Sequence, residues 1–236
     1  MNNKILVLLP TLNELENIKI LIKQIKNLRI KIDLLFIDDN SNDGTQELIK
    51  ILKDKNSNIQ YIFNKSRLGI GKAHKTGLFY ALQNNYHYII TMDSDLAHHP
   101  NYIKKILNKK NSAALIVGSR YIKKNSSPLW SKFRIFLSNS AHVLYKIIYN
   151  SDLDSTNSFR LYNLKILNLK KINKFSYNDY EFFFTSLLIL KKEKYKITQI
   201  PMKIYGRSKG NSKMLIKHVI KSIITMFLFY FKLRKI

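Results

Sequence analysis

Five short apolar runs, each closed by a polar cluster, limit what this chain can fold into. KILVLL (4–9), DLLFID (33–38), IQYIF (59–63), HYIITM (87–92) and ALIVGS (114–119) have the length and β-branched content of buried strands. Helical stretches lie between them; in 14–27, Leu15, Ile18, Leu21, Ile22 and Ile25 share one face. Asp43, with Gln46 three residues on, reads as the N-cap of the second helix. Strands alternating with helices at this spacing predict a mostly parallel, doubly wound α/β sheet, in which ligands collect beyond the C-terminal strand ends. The polar clusters fall at those ends: PTLNE after the first strand, DDNSNDGT after the second, SRLGIGK after the third, DSD and GSR after the fourth and fifth. Together they outline one site on one sheet edge.

Past residue 120 the pattern loosens. Residues 130–149 and 178–190 read as helices, 152–163 as mixed, KITQIP (196–201) as a strand, and a loop carrying GRSKGNSK (206–213) leads to a final apolar helix. With no internal repeat and no Pro-, Gly- or Ser-rich linker, the expectation is one domain over 1–212 with a helical appendage over 213–236. There is no Cys, which excludes disulfides and thiolate zinc sites. The apolar run near the N-terminus ends at Pro10 and is too short for a signal-peptide core, so a cytoplasmic location is expected.

Against 41 Lys and Arg, the 15 Asp and Glu are scarce, and the formal charge is +26. Asp93 and Asp95 nevertheless stand two apart at a strand end, where repulsion would separate them unless a cation sits beside them. Hard carboxylate oxygens suit Mg²⁺ or Mn²⁺ completed by substrate phosphates; the competing reading is an N-cap for a helix over 101–109. His98 and His99 lack a third His at metal spacing and are expected outside the coordination sphere. Asp38 and Asp39 suit a base or ribose, and NSNDGT is equally good turn chemistry. GIGK matches neither a dinucleotide nor a P-loop pattern; Gly69 and Gly71 are expected to admit a ligand closely, with Lys72 near phosphate. Arg120 follows a strand end on the same edge, where a guanidinium fork matches phosphate.

Taken in order and spacing, PTLNE, IDDNSNDGT, RLGIGKAHKTG, MDSDLAHHP, GSRY, the Trp130–Arg134–Ser138 spacing, DSTNSFRLY and the Arg207–Lys213 run resemble an inverting glycosyltransferase of family 2 with the GT-A fold. More narrowly, they resemble polyprenol-phosphate (dolichol-phosphate) mannosyltransferases. The likeness runs from Ile5 to about Lys213. It implies a nucleotide-sugar site made of Pro10, Thr11, Asn13, Glu14, Asp38, Asp39, Lys72, Asp93, Ser94, Arg207 and Lys213. It also implies a metal held at Asp93 and Asp95, an acceptor phosphate received by Arg120, Arg134 and Ser138, and a catalytic set of Asp95, Arg120 and Arg134. GDP-mannose is the implied donor, with UDP-glucose or a similar nucleotide sugar as the alternative, and a polyprenyl phosphate is the implied acceptor. Three positions depart from the family: Ala97 replaces a polar metal-contacting side chain, and Asn157 and Ser158 replace the usual Ser-Gly.

SIITMFLFYF (222–231) is uncharged but too short to span a bilayer, which takes about 20 apolar residues. Lys217, Lys221 and Thr225 form a polar stripe opposite Ile216, Ile220, Ile223 and Phe227, and Phe227, Phe229 and Phe231 supply apolar area. The pattern suits an amphipathic helix on an anionic membrane, making the protein peripheral on the cytoplasmic face; the alternatives are a helix packed on the sheet or in a dimer. A nucleic-acid-binding protein would fit the charge, but it would need a concentrated basic face with aromatic platforms, and Lys is spread throughout.

Overall fold

The computed structural model describes residues 3–123, 126–127, 130–169, 177–206, 209 and 216–234. Strands β1 (Ile5–Thr11), β2 (Asp33–Asp38), β3 (Ile59–Phe63), β4 (Tyr88–Thr91), β5 (Leu115–Ser119), β6 (Arg160–Asn163) and β7 (Ile197–Pro201) form one sheet in the order β3-β2-β1-β4-β6-β5-β7. The helices are α1 (Leu15–Lys26), α2 (Thr45–Lys55), α3 (Ile70–Gln83), α4 (Asn101–Leu107), α5 (Lys132–Tyr149), α6 (Glu181–Lys192) and α7 (Ile216–Arg234).

The period of two along β1 builds both layers. Leu6 and Leu8 face a core shared with α3, α6 and α7, while Val7 and Leu9 face a second core shared with α1, α2 and α4. Every strand is parallel to its neighbours except β6, which runs antiparallel to β4 and β5. That reversal matters for the site. Arg160, the first residue of β6, stands opposite Thr91, the last of β4. The segment leading into β6 therefore lies on the same edge as the C-terminal ends of the parallel strands.

The second helix starts differently from the sequence reading. Gly44, at φ 88°, precedes Thr45, and the Asp43 carboxylate accepts from the Thr45 and Leu15 amides at 3.1 and 3.2 Å. Gln46 does not complete a capping box; its amide donates to Asp38 Oδ1 at 2.6 Å. Burial raises the Asp43 pKa, but hydrogen bonds from Thr45 and Leu15 outweigh it and hold the group below its ordinary value.

Helix α7 packs on the protein by the side that carries its polar residues. Thr225, Met226 and Phe229 turn inward, and Phe229, read above as interfacial, is fully buried. Lys221 reaches inward to Asp179 Oδ2 at 2.8 Å and Glu181 Oε1 at 3.2 Å. Ile220, Ile223, Ile224, Phe227, Leu228 and Phe231 are exposed. The stripe with the polar residues thus packs on the protein, and the greasy one faces out.

Candidate active site

The loops after β1 and β2 are stapled together by the residues predicted to bind a ligand. Asn13, at φ 53°, donates its amide to Ser41 Oγ at 2.7 Å and accepts from the Asn42 amide at 3.0 Å. Asp38 is fully buried, and its carboxylate accepts from the Ser41 amide at 2.9 Å, from the Ser41 hydroxyl and from Gln46. Glu14, also buried, donates its amide to Thr45 Oγ1 at 3.0 Å and accepts from Asn17 at 2.6 Å. Asp39 clamps the next loop: Oδ1 accepts from the Leu68 amide at 2.8 Å and from Asn64 at 3.0 Å, and Oδ2 accepts from the Gly69 amide at 3.0 Å. Asp38 and Asp39 therefore shape the edge, each carboxylate accepting from donors of the loops around it.

Gly69 and Gly71 have a different neighbour from the one expected. A Cβ at Gly69, whose φ is +92°, would come within 2.5 Å of the Asn178 carbonyl, and one at Gly71 within 2.6 Å of the Asp179 carbonyl. It is the chain itself, at 178–179, that needs the absent side chains. Lys72 donates its amide to Asn178 O at 3.0 Å, its side chain is exposed, and Lys75 Nζ donates to Asn178 Oδ1 at 2.8 Å.

Beyond β4, residues 93–97 form a tight turn, with Leu96 at φ 65°. Ser94 donates to the Pro10 carbonyl at 2.9 Å and lies 3.1 Å from Thr11 Oγ1, which ties this turn to the end of β1. Asp95 Oδ1 accepts from the Ala97 amide at 3.0 Å, and Asp93 Oδ1 accepts from Ser158 Oγ at 2.7 Å. Helix α4 begins only at Asn101, whose amide meets His99 Nδ1 at 3.2 Å, so neither Asp is its cap. His98 is buried and its Nδ1 accepts from the Asp93 amide at 3.2 Å.

Among the described residues, no three His, Asp or Glu converge on one point. A pair of positioned carboxylates without a third protein ligand fits a hard divalent cation that takes its remaining ligands from phosphate and water, and does not fit a closed structural metal site.

On the far side of β4 and β6, Arg120 and Arg134 are brought together around Trp130. The Arg134 guanidinium lies 4.0 Å from the Trp130 ring centre and that of Arg120 5.4 Å. Tyr121 donates its hydroxyl to the Ser138 carbonyl at 3.1 Å, lies 2.9 Å from Ser138 Oγ, and stacks on His142 with ring centres 3.7 Å apart. Arg120, however, does not present an open fork. Its Nε and Nη2 donate to the two oxygens of Asp154 at 3.0 and 2.9 Å, and Nη2 also reaches Thr156. Asp154 is fully buried; burial alone would raise its pKa, but the Arg120 charge and hydrogen bonds lower it. Arg120 can turn only Nη1 toward a ligand, while Arg134, exposed at the first turn of α5, has the wider access.

Asp154 and Tyr121 are what the sequence reading missed. The signal for Asp154 was its position: one of few acids, inside a polar island (151–158) directly ahead of a strand. Asn157 and Ser158, which depart from the family pattern, are well used. Asn157 Nδ2 donates to Gly118 O at 2.7 Å, and its Oδ1 accepts from the Phe159 amide at 2.9 Å. Arg207 and Lys213 lie outside the described residues.

Comparison with known proteins identifies the family and the fold. Residues 6–178 match the family described as Glycosyl transferase family 2. The undecaprenyl-phosphate mannosyltransferase of Micrococcus luteus is 24% identical over 212 residues, 89% of this chain and 87% of that protein. The polyprenol monophosphomannose synthase of Mycolicibacterium smegmatis is 26% identical over 212 residues, covering 89% and 80%. Among solved structures, glucosyl-3-phosphoglycerate synthase from Mycobacterium tuberculosis, in complex with Mn²⁺, UDP and glucosyl-3-phosphoglycerate, superposes with a TM-score of 0.67 at 16% identity, over 97% of this chain and 80% of that one.

Proposed function

The chain belongs to glycosyltransferase family 2 and has its GT-A fold, and from that premise we propose that it transfers a hexose, mannose from GDP-mannose, to a polyprenyl phosphate with inversion at the sugar. The observation that carries this is the pairing on one sheet edge of the Asp93–Asp95 turn with the Arg120–Trp130–Arg134 cluster. One element suits a diphosphate with its cation, and the other a second phosphate. Both similar proteins named above that match 89% of the chain act on polyprenyl phosphates, by their names.

The residues divide the work as follows. Asp93 and Asp95 would hold Mg²⁺ or Mn²⁺, which supplies charge stabilisation for the departing diphosphate. Pro10, Thr11, Asn13, Glu14, Ser94 and Lys72 line the nucleotide side, with Asp38 and Asp39 fixing the loops they sit on. Arg207 and Lys213 are assigned to the donor by resemblance alone. Arg134 and Arg120 Nη1 receive the acceptor phosphate beside Ser138. The attacking group is an ionised phosphate oxygen, so no strong general base is needed, and positioning and electrostatics supply the rate.

The membrane reading rests on two helices. No helix among the described residues is long and apolar enough to cross a bilayer. On α5, Phe133, Phe136 and Ile147 are 67%, 65% and 74% exposed, and α7, which packs against α5, exposes Phe227, Leu228 and Phe231. Lys132, Lys146 and Lys232 are exposed on the same two helices. Such a face costs free energy in water and gains it in an anionic interface, and the lipid phosphate would arrive at Arg134, near the start of α5. Residues 213–236 would then serve as a membrane-facing edge that also shares the core through Met226 and Phe229.

The test is a panel of GDP- and UDP-sugars incubated with Mn²⁺ and undecaprenyl or dolichyl phosphate, following which donor is consumed. Selective use of GDP-mannose with a lipid phosphate supports the reading. Use of UDP-glucose moves the donor assignment, and failure of all lipid phosphates overturns the acceptor assignment.

A further inference from the structure

We propose that Ser158 is a positioning residue for the nucleotide–cation site, acting through the carboxylate of Asp93; the inference rests on the reading of Asp93 given above.

Ser158 Oγ donates to Asp93 Oδ1 at 2.7 Å across two elements 65 residues apart. A hydroxyl bonded to a carboxylate at this length is a charge-assisted bond, about twice as strong as a neutral one. The serine is itself fixed. It is 6% exposed, and its carbonyl accepts from Thr91 Oγ1, inside β4. On one side Asn157 is bonded to Gly118 and Phe159; on the other the buried Arg160 donates Nε to Asn157 O at 2.8 Å, Nη2 to Ser155 O at 3.0 Å and Nη1 to Ser186 Oγ at 3.1 Å. Asp93 is the more exposed partner, with its side chain 30% accessible at a turn. The bond thus joins a carboxylate at a solvent-facing turn to a segment locked into the sheet. The antiparallel direction of β6 is what brings that segment to this edge. Hydrogen-bond partners of metal-binding groups commonly change affinity or activity by about 10–100-fold when removed.

The experiment uses the full chain and measures Mn²⁺ binding in the presence of unreactive GDP, and UDP in parallel, by calorimetry or by the Mn²⁺ paramagnetic resonance signal. Ser158→Ala is expected to weaken binding roughly tenfold at unchanged Tm. In an Asp93→Ala background the same change is expected to have no further effect, because the two residues act as a unit. Equal weakening in both backgrounds, or none in the first, overturns the proposal. If Asp93→Ala itself leaves binding unchanged, the reading of the carboxylate pair fails instead, so the two failures are distinguishable. Should Ser158→Ala lower Tm, Ser158→Gly repeats the cycle, with the same outcomes supporting or overturning it.

Discussion

A buried histidine gives the most direct test of the interior. His74, on α3, is fully buried, and neither ring nitrogen has a hydrogen-bond partner among the described residues. Phe183 meets it edge-on at 4.9 Å and Phe182 at 5.7 Å. Burial, then the Arg160 charge, then His98, lower its pKa from 6.5 to about 3. In the unfolded chain the ring takes its proton near pH 6.5, whereas the folded protein refuses it until about pH 3. The unfolded state therefore binds more protons between these values. Stability is complete above pH 6.5 and is lost as pH falls toward 3. Integrating the difference gives about 2 kcal/mol lost between pH 7.5 and 5, and about 3 kcal/mol by pH 4.

His74→Leu removes this contribution at similar volume. Other groups titrate in both proteins, so the informative quantity is the difference between the two pH profiles. Urea unfolding at pH 7.5 and 5 should show the variant at least as stable as the natural chain at pH 7.5, since two unpartnered nitrogens are gone. At pH 5 the variant should be ahead by about 2 kcal/mol more, or about 4–8 °C in Tm for a chain of this size. Parallel profiles would refute the reasoning and mean that the ring finds a proton partner in the folded state.

Asp95→Ala should abolish turnover and Mn²⁺-dependent nucleotide binding while costing about 1 kcal/mol of stability, the worth of its bond to the Ala97 amide; binding calorimetry beside urea unfolding separates the two. Asp154→Ala strands the Arg120 charge in the interior and should destabilise by about 3–5 kcal/mol in urea, whereas Arg134→Lys should leave Tm unchanged and lower kcat/KM for the lipid acceptor. On α7, Ile224→Glu with Leu228→Glu should reduce sedimentation with anionic vesicles at unchanged stability, while Phe229→Ala should cost about 3–5 kcal/mol; removing the whole helix would confound the two effects.

The first five strands were legible because each is an apolar run bounded by turn residues, and the sheet found for them is the expected one. β6 was not legible as a strand because it begins with a charged residue, Arg160, and ends with a polar one, Asn163. A fully buried Arg satisfied by two carbonyls and a serine leaves no signature in the sequence. Arg120 and Arg134 come together around Trp130, but the partner of Arg120 was not foreseen, since a motif shows the cation and not what its fork already holds. On α7 the stripe read as apolar is the exposed one, but Phe229, read with it, lies on the buried side with Thr225 and Met226. Periodicity defines which residues share a stripe; which stripe faces the protein depends on Asp179 and Glu181, which no pattern within the helix contains.

The polar residues of this edge bond chiefly to one another. Asn13 holds the loop after β2, Asp38 holds Ser41 and Gln46, Asp39 holds the loop after β3, Ser94 holds the end of β1, and Ser158 holds Asp93. A short polar motif that must satisfy its neighbours as well as its ligand tolerates little change, which is why weak motifs in the right order were informative as a set. The same mutual bonding fixes the geometry before any ligand arrives. Catalysis that depends on positioning gains when the ordering of the site is completed by folding rather than at the moment of binding. In this chain that ordering depends on one reversed strand, because without an antiparallel β6 the segment 154–158 would leave at the opposite edge, taking with it the counter-charge of Arg120 and the hydroxyl on Asp93.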